Sequence, residues 1–218
     1  RYKVYVVHWH LTDNLAWRFE VKSHPELTRA EFHEQEKERA PGKFYSQEEV
    51  REVIAYAKAR GVTVVPEIDI PGHSAALRRA LGVKDMGDPK VAPVLRDAFR
   101  ELLALAPPED MPFVHVGTDE VRSAQERMPP EFIAEIIRMI TNSGRQAIVW
   151  KAGIKPPDDE RILEMMWAQF KPSGKHRFVD ARSIYTNLNT GADAVRTCYW
   201  NVPACDGKPE QRYGGELA

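Results

Sequence analysis

The sequence predicts an α/β fold, a (β/α)8 TIM barrel, and three observations lead there. Short strand-like runs alternate with helical stretches along one unbroken domain. The connections are short, which sets successive strands parallel with helices outside them. Polar and aromatic residues gather where the strand runs end, the end of such a barrel that carries chemistry.

Val4-Tyr5-Val6-Val7 opens the first strand, and Val62 to Val65, rich in β-branched residues, forms the second. Phe113-Val114-His115-Val116 is the third and Ala147-Ile148-Val149-Trp150 the fourth. Met165 to Ala168, Ser183 to Thr186 and the tail Gly215-Glu216-Leu217 are weaker runs that bring the total to about seven. Between them, Ser46-Gln47-Glu48-Glu49 is a capping box. Val50, Val53, Ile54 and Ala57 follow at helical spacing, and Gly61 suits the left-handed stop. Asp88-Pro89 opens a second helix with Leu95, Phe99, Leu102 and Leu103 as its buried stripe. Pro129-Pro130 opens a third, carrying Phe132, Ile133, Ile136, Ile137 and Ile140 and ending at Asn142-Ser143-Gly144. The later strands lie too close together for full helices, so that side of the barrel is expected to be irregular.

The 218 residues, 43% hydrophobic, fit one domain spanning 1–218. Lys and Arg number 31 against 32 Asp and Glu, a net charge of -1 that gives no electrostatic reason to expect nucleic acid or a membrane surface. No apolar run approaches the roughly 18–20 residues of a bilayer span. The chain enters its first strand directly from Arg1-Tyr2-Lys3 and reads as a piece of a longer protein. Cys198 and Cys205 are either a short-loop pair or two free thiols.

Five strand ends carry notable residues: His8-Trp9-His10-Leu11-Thr12-Asp13, Pro66 to His73, Gly117-Thr118-Asp119-Glu120, Trp150 and Trp167. Asp119-Glu120 is the sharpest. An acidic pair often does no more than cap the next helix. Here it follows a buried strand and a flexible glycine. Two carboxylates in one cleft oppose each other's ionisation, so one can remain a proton donor while the other stays charged. His8 and His10 alternate with Trp9 and so share one strand face. Glu67 and Asp69 are expected to be structural, bonding loop backbone or neighbouring cations.

These motifs resemble those of family 20 glycoside hydrolases, the β-N-acetylhexosaminidases. His-Trp-His-Leu-Thr-Asp at 8–13 with Trp17-Arg18 resembles the family's second strand, HLTDDQGWR. Val64 to His73 resembles its third-strand motif almost letter for letter, and His115 to Glu120 its catalytic H-x-G-G-D-E. Gly214-Gly215-Glu216-Leu217-Ala218 looks like the start of its eighth strand. The resemblance implies removal of terminal β-linked N-acetylglucosamine or N-acetylgalactosamine from glycans or chitooligosaccharides, with no cofactor and no metal. It implies a retaining, substrate-assisted reaction in which the sugar's own acetamido oxygen is the nucleophile. Glu120 is then the general acid and base, and Asp119 the acceptor of the acetamido N–H. Trp150 and Trp167 wall the acetamide pocket, Tyr185 bonds its carbonyl oxygen, and Asp13, His73 and Asn187 lie beside the sugar. His115 stands behind the acids as a partner. Extracellular or periplasmic placement follows from the resemblance alone.

Four positions depart from that pattern. Asn14 replaces an Asp, Thr118 replaces a Gly, Lys151 stands where an acid is common, and Asn187 stands for an Asp that contacts sugar hydroxyls. The resemblance also implies an incomplete barrel, its first strand missing and its eighth truncated. Further barrel segments or another chain would then complete the fold. Two rivals compete. A metal-dependent amidohydrolase would use the His8-x-His10 pair, with His73 and His115 completing the site. A sugar-binding relative without catalysis would have no need of the intact acid pair.

Overall fold

The computed structural model describes residues 5–34, 40–151, 154–167 and 171–181. Six parallel strands form one sheet in simple sequential order. They are β1 (Val6–His10), β2 (Thr63–Ile70), β3 (Phe113–Gly117), β4 (Gln146–Trp150), β5 (Ile162–Met166) and β6 (Arg177–Asp180). Four α-helices join the first half: α1 (Gln47–Lys58), α2 (Ala75–Leu81), α3 (Val91–Leu103) and α4 (Pro130–Asn142). The sheet curls as part of a parallel β/α barrel. Neighbouring strands in sequence are neighbours in space, as right-handed β–α–β units require.

The local signals explain the helices. Ser46 and Glu49 form the expected box: the serine side chain accepts the Glu49 amide, and the Glu49 carboxylate accepts the Ser46 amide at 2.7 Å. The α1 stripe buries Val50 and Ile54, and Gly61 ends the turn at φ 69°. Pro130 begins α4, whose Phe132, Ile133, Ile136, Ile137 and Ile140 are buried. The acceptors for α3 arrive differently from expectation. It starts at Val91, three residues after Asp88, whose carboxylate accepts the Lys90 amide at 2.9 Å.

Three other differences have physical causes. Helix α2, unforeseen in sequence, is only seven residues long and follows directly on the Pro71-Gly72-His73 turn. Strand β5 begins at Ile162, earlier than the run from Met165, because Glu164 can be buried when Lys151 Nζ lies 2.8 Å from its carboxylate. Strand β6 has just two apolar residues, Phe178 and Val179, between charged ends, too faint a pattern to see. Between β4 and β6 the described residues contain no helix, matching the expected irregular side.

Strand alternation sorts the side chains onto two faces. Val64, Ile68 and Ile70 of β2, Val114 and Val116 of β3, and Ala147 and Val149 of β4 join the helices in the large outer core. Val65, Phe113, Ile148, Leu163 and Met165 pack together on the inner face. Near the ends where the strands begin, Arg145 donates to the carbonyls of Met111 (3.0 Å) and Leu103 (2.9 Å) and so ties α3, β3 and β4 together. The inner face thus has an apolar floor. Moving toward the strand ends, it turns polar: His8, His10, Glu67, Asp69, His115 and Trp150.

Candidate active site

Register brings the polar residues to one level. His10 pairs with Glu67 across β1 and β2, and Glu67 pairs with His115 across β2 and β3. Beyond β1, the Asp13 backbone closes a small loop onto Ala16 at 3.0 Å. Beyond β2, the turn carries His73 at φ 49°. At the last residue of β3 and beyond it, Gly117, Thr118 and Glu120 all have positive φ, 75°, 81° and 48°. A β-branched residue at φ 81° is strained, and strain of this kind collects where surrounding structure must hold side chains in set directions.

Two glycines permit the close approach of these turns. A Cβ on Gly72 would run into the Asp119 carbonyl, and one on Gly117 would run into the Asp69 carboxylate. Asp119 and Glu120 cap no helix: the next helical turn, Ala124–Glu126, is capped by Ser123 with its own Glu126 box. Both acids instead face His73. Its Nε2 lies 3.3 Å from Glu120 Oε2 and 3.8 Å from Asp119 Oδ2, and its Nδ1 lies 3.3 Å from Asp13 Oδ1. Arg122 makes a second ion pair with Glu120 on the exposed side.

The electrostatics follow from this packing. Burial raises the Asp119 carboxyl above its ordinary value, with the Glu67 and Glu120 charges adding to burial and His73 opposing. Asp69, deeper still, is raised well above the carboxylate range by burial and by the charges of Glu67 and Asp119. The hydrogen bond to Asp13 raises His73 despite its burial. Asp13 is held low, because its bonds to His10 and His73 outweigh burial. Asp119 Oδ1 is buried, and the raised Asp69 carboxyl hydrogen-bonds the Asp119 side chain.

At the centre of the site is Glu67, only 1% exposed. Its Oε2 lies 2.5 Å from His10 Nδ1 and 3.0 Å from His8 Nε2; its Oε1 lies 2.9 Å from His115 Nδ1 and accepts the Trp150 indole N–H at 3.1 Å. Burial would raise this carboxyl, but the charges and hydrogen bonds of His115, His10 and His8 outweigh it and hold it well below the usual range. Burial drives His115 down to about 4, so it is a neutral ring. That ring stacks on His8 at 4.6 Å between centroids, and its Nδ1 lies 2.9 Å from both the Glu67 carboxylate and the Gly117 amide, against the turn that bears the acids.

The structure therefore brings together Asp13, His73, Asp119 and Glu120, with Trp150 and His115 behind them. Trp167 directly follows β5, half-buried. Tyr185 and Asn187 lie outside the described residues, as do Cys198 and Cys205. His10 and Glu67 are the members the sequence undervalued. Their signal was present: His8-x-His10 and Glu67-x-Asp69 are period-two pairs at strand ends, so both members of each face the barrel interior.

Comparison with known proteins bears on this arrangement. The family model "Glycosyl hydrolase family 20, catalytic domain" matches residues 1–85, which hold β1, β2, Asp13 and His73. A β-hexosaminidase of Vibrio furnissii is 40% identical over 151 positions, covering 55% of this chain and 24% of that protein. A β-N-acetylhexosaminidase of Cellulomonas fimi is 31% identical over 186 positions, covering 76% of this chain and 37% of that protein. This chain belongs to glycosyl hydrolase family 20. The chain spans well under half the length of these family 20 relatives. Among solved structures, the β-N-acetylhexosaminidase of Bacteroides fragilis superposes with a TM-score of 0.58 at 29% identity, covering 75% of this chain and 38% of that one. An exo-β-N-acetylglucosaminidase of Vibrio harveyi, in complex with N-acetylglucosamine, shares the fold with a TM-score of 0.64 at 24% identity, over 81% of this chain and 36% of its own.

Three departures from the family 20 pattern have a visible structural role. The Asn14 side-chain oxygen accepts the Ala75 amide at 3.1 Å, at the start of α2. The Thr118 hydroxyl donates to the Trp150 carbonyl at 3.2 Å, joining the acid turn to β4. Lys151 compensates the buried Glu164.

Proposed function

We propose that this chain supplies most of the catalytic barrel of a β-N-acetylhexosaminidase that removes terminal β-linked N-acetylglucosamine or N-acetylgalactosamine from glycans or chitooligosaccharides. The observation that carries the reading is the adjacent pair itself: Asp119, with a buried Oδ1, beside a Glu120 engaged by His73.

The reaction runs in two steps. In the first, the substrate's acetamido oxygen attacks the anomeric carbon while the bond to the aglycone breaks. The electron pair leaves with the glycosidic oxygen, which takes a proton from Glu120. Asp119 accepts the acetamido N–H, orients the group, and stabilises the positive charge growing on the oxazolinium ring. Fixed charges aimed at developing charge are usually the largest catalytic term. In the second step Glu120, now a carboxylate, removes a proton from water, whose oxygen attacks the anomeric carbon as the ring's carbon–oxygen bond breaks. The configuration is retained and Glu120 regains its proton. His73 orients the Glu120 carboxyl, and Asp13 orients His73. Trp150 and Trp167 wall the acetamide, Tyr185 bonds its carbonyl, and Asn187 contacts sugar hydroxyls.

In this reading residues 1–218 form one domain, β1 is the family's second strand and the tail begins its eighth. Further segments complete the barrel. Tyr5, Val6 and Val7 are 46%, 41% and 43% exposed, as expected for a strand whose other edge awaits a partner. The test is hydrolysis of a chromogenic N-acetylglucosaminide by the intact protein, with an oxazoline-like inhibitor as competitor. Glu120→Gln should abolish turnover; retained turnover in that variant, or indifference to the inhibitor, rejects the proposal.

The amidohydrolase alternative draws on three groups whose ligand atoms lie within 4.8 Å of one another: His8, Glu67 and His115; His10, Glu67 and Asp69; and Asp69, His73 and Asp119. Against it, one Glu67 oxygen already accepts an indole N–H, which is no metal ligand. Metal analysis of purified protein, with activity followed through chelation, separates the two.

A further inference from the structure

Glu67 has no part in the two steps above, yet it is the most heavily shared group in the site. A continuous chain of polar contacts passes through it. From Glu120 Oε2 the path runs 3.3 Å to His73, from His73 3.3 Å to Asp13, from Asp13 3.0 Å to His10, from His10 2.5 Å to Glu67, and from Glu67 3.1 Å to the Trp150 indole. Each imidazole on the path has both ring nitrogens engaged. The path begins at the proton donor and ends at a wall of the proposed acetamide pocket.

We propose that Glu67 is a positioning residue for acetamide recognition: it fixes the plane of Trp150 through the indole N–H and, through His10 and Asp13, ties that wall to the Glu120 assembly. This rests on the reading of Trp150 as a pocket wall. The chemistry favours a carboxylate here for a specific reason. Both of its oxygens are acceptors, so one can take the indole N–H while the other takes the His10 N–H. Glutamine has one acceptor and one donor. If its oxygen serves Trp150, its NH2 faces the His10 Nδ1–H, and that link breaks for as long as His10 keeps this proton. His10, raised to about 10 by its bonds to Asp13 and Glu67 against the effect of burial, keeps that N–H and supplies the countercharge a buried carboxylate requires. A ring pinned by one hydrogen bond at its edge presents its face in one orientation, and misplacement by about an ångström can cost up to about 100-fold in rate.

The experiment compares N-acetyl and N-propionyl glucosaminides in the intact protein. Wild type should favour N-acetyl. Trp150→Phe keeps an aromatic wall but deletes the N–H; Glu67→Gln keeps the shape but breaks the shared acceptor. Each should lower kcat for the N-acetyl substrate and raise the relative use of N-propionyl several-fold, and the double variant should do no more than the stronger single, because both cut one link. A selectivity change in Trp150→Phe with none in a folded Glu67→Gln overturns the role of Glu67 and leaves the pocket reading standing. If neither Trp150→Phe nor Trp150→Ala alters selectivity, the pocket wall itself is misassigned and both fall. Should Glu67→Gln fail to fold, His10→Gln takes its place, and additive losses with Trp150→Phe overturn the proposal.

Discussion

Gly117→Ala tests whether the acid turn is held by contact with the barrel interior. Gly117 has φ 75°, and a Cβ there would overlap the Asp69 carboxylate, its Cγ and its backbone. Two costs combine. The left-handed backbone costs an L-residue roughly 1–2 kcal/mol. Forcing an extra carbon into packed surroundings costs roughly 1–3 kcal/mol more. The sum is about 2–5 kcal/mol. Gly61 supplies the control, because at φ 69° its added Cβ would meet nothing within 4 Å. Gly61→Ala should therefore lose just the backbone part, about 1–2 kcal/mol. The assay is chemical or thermal unfolding of the intact protein, with hydrolysis measured on the same samples. The reasoning also requires Gly117→Ala to lose activity well below its melting temperature, because relief of the clash must move either Asp69 or the turn bearing Asp119 and Glu120. Equal destabilisation of the two variants, or full activity in Gly117→Ala, would refute it.

Asp119→Asn should lower kcat on the order of 10²–10³-fold with a smaller effect on KM, since it removes a charge that acts chiefly on the transition state; steady-state kinetics checks this. Ser46→Ala should destabilise by about 1 kcal/mol without touching kcat, because it deletes the α1 cap far from the strand ends; a melt paired with kinetics reads both. His10 has its folded value raised from 6.5 to about 10, so its contribution to stability is complete below about pH 6.5 and is lost as pH rises toward 10. The stability difference between wild type and His10→Gln should accordingly shrink across that window, and a difference that grows with pH in matched denaturation curves would contradict the assignment.

Much of this was legible in the sequence where a local rule dominates. Ser46 and Glu49 cap α1 because the motif needs nothing beyond three residues of chain. The α4 stripe reads clearly because five large apolar residues repeat at helical spacing. The alternation of β2 and β3 placed polar residues at the mouth. What stayed hidden depended on partners distant in sequence. Glu164 looks like a break in a strand until Lys151, 13 residues earlier, neutralises it. Glu67 looks like a routine buried acid until β1, β3 and β4 each deliver an N–H-bearing ring to it. Strand β6 offered just two apolar residues, and its existence follows from pairing with β5.

The departures from the family pattern show what the mouth of this barrel constrains. At position 14 the expected acid is an amide, yet what the fold takes from it is an oxygen that accepts the Ala75 amide, and asparagine has one. At position 118 the expected glycine would fit φ 81° without strain, while threonine fits it at a cost. Its hydroxyl, bonded to the Trp150 carbonyl, makes a link no glycine can make. That link joins the strand end bearing the acids to the strand end bearing Trp150. The indole is thus tied at its ring through Glu67 and at its backbone through Thr118. Two independent tethers on one residue make sense when its position relative to Asp119 and Glu120 matters more than its burial, since a core tryptophan is held well enough by packing alone.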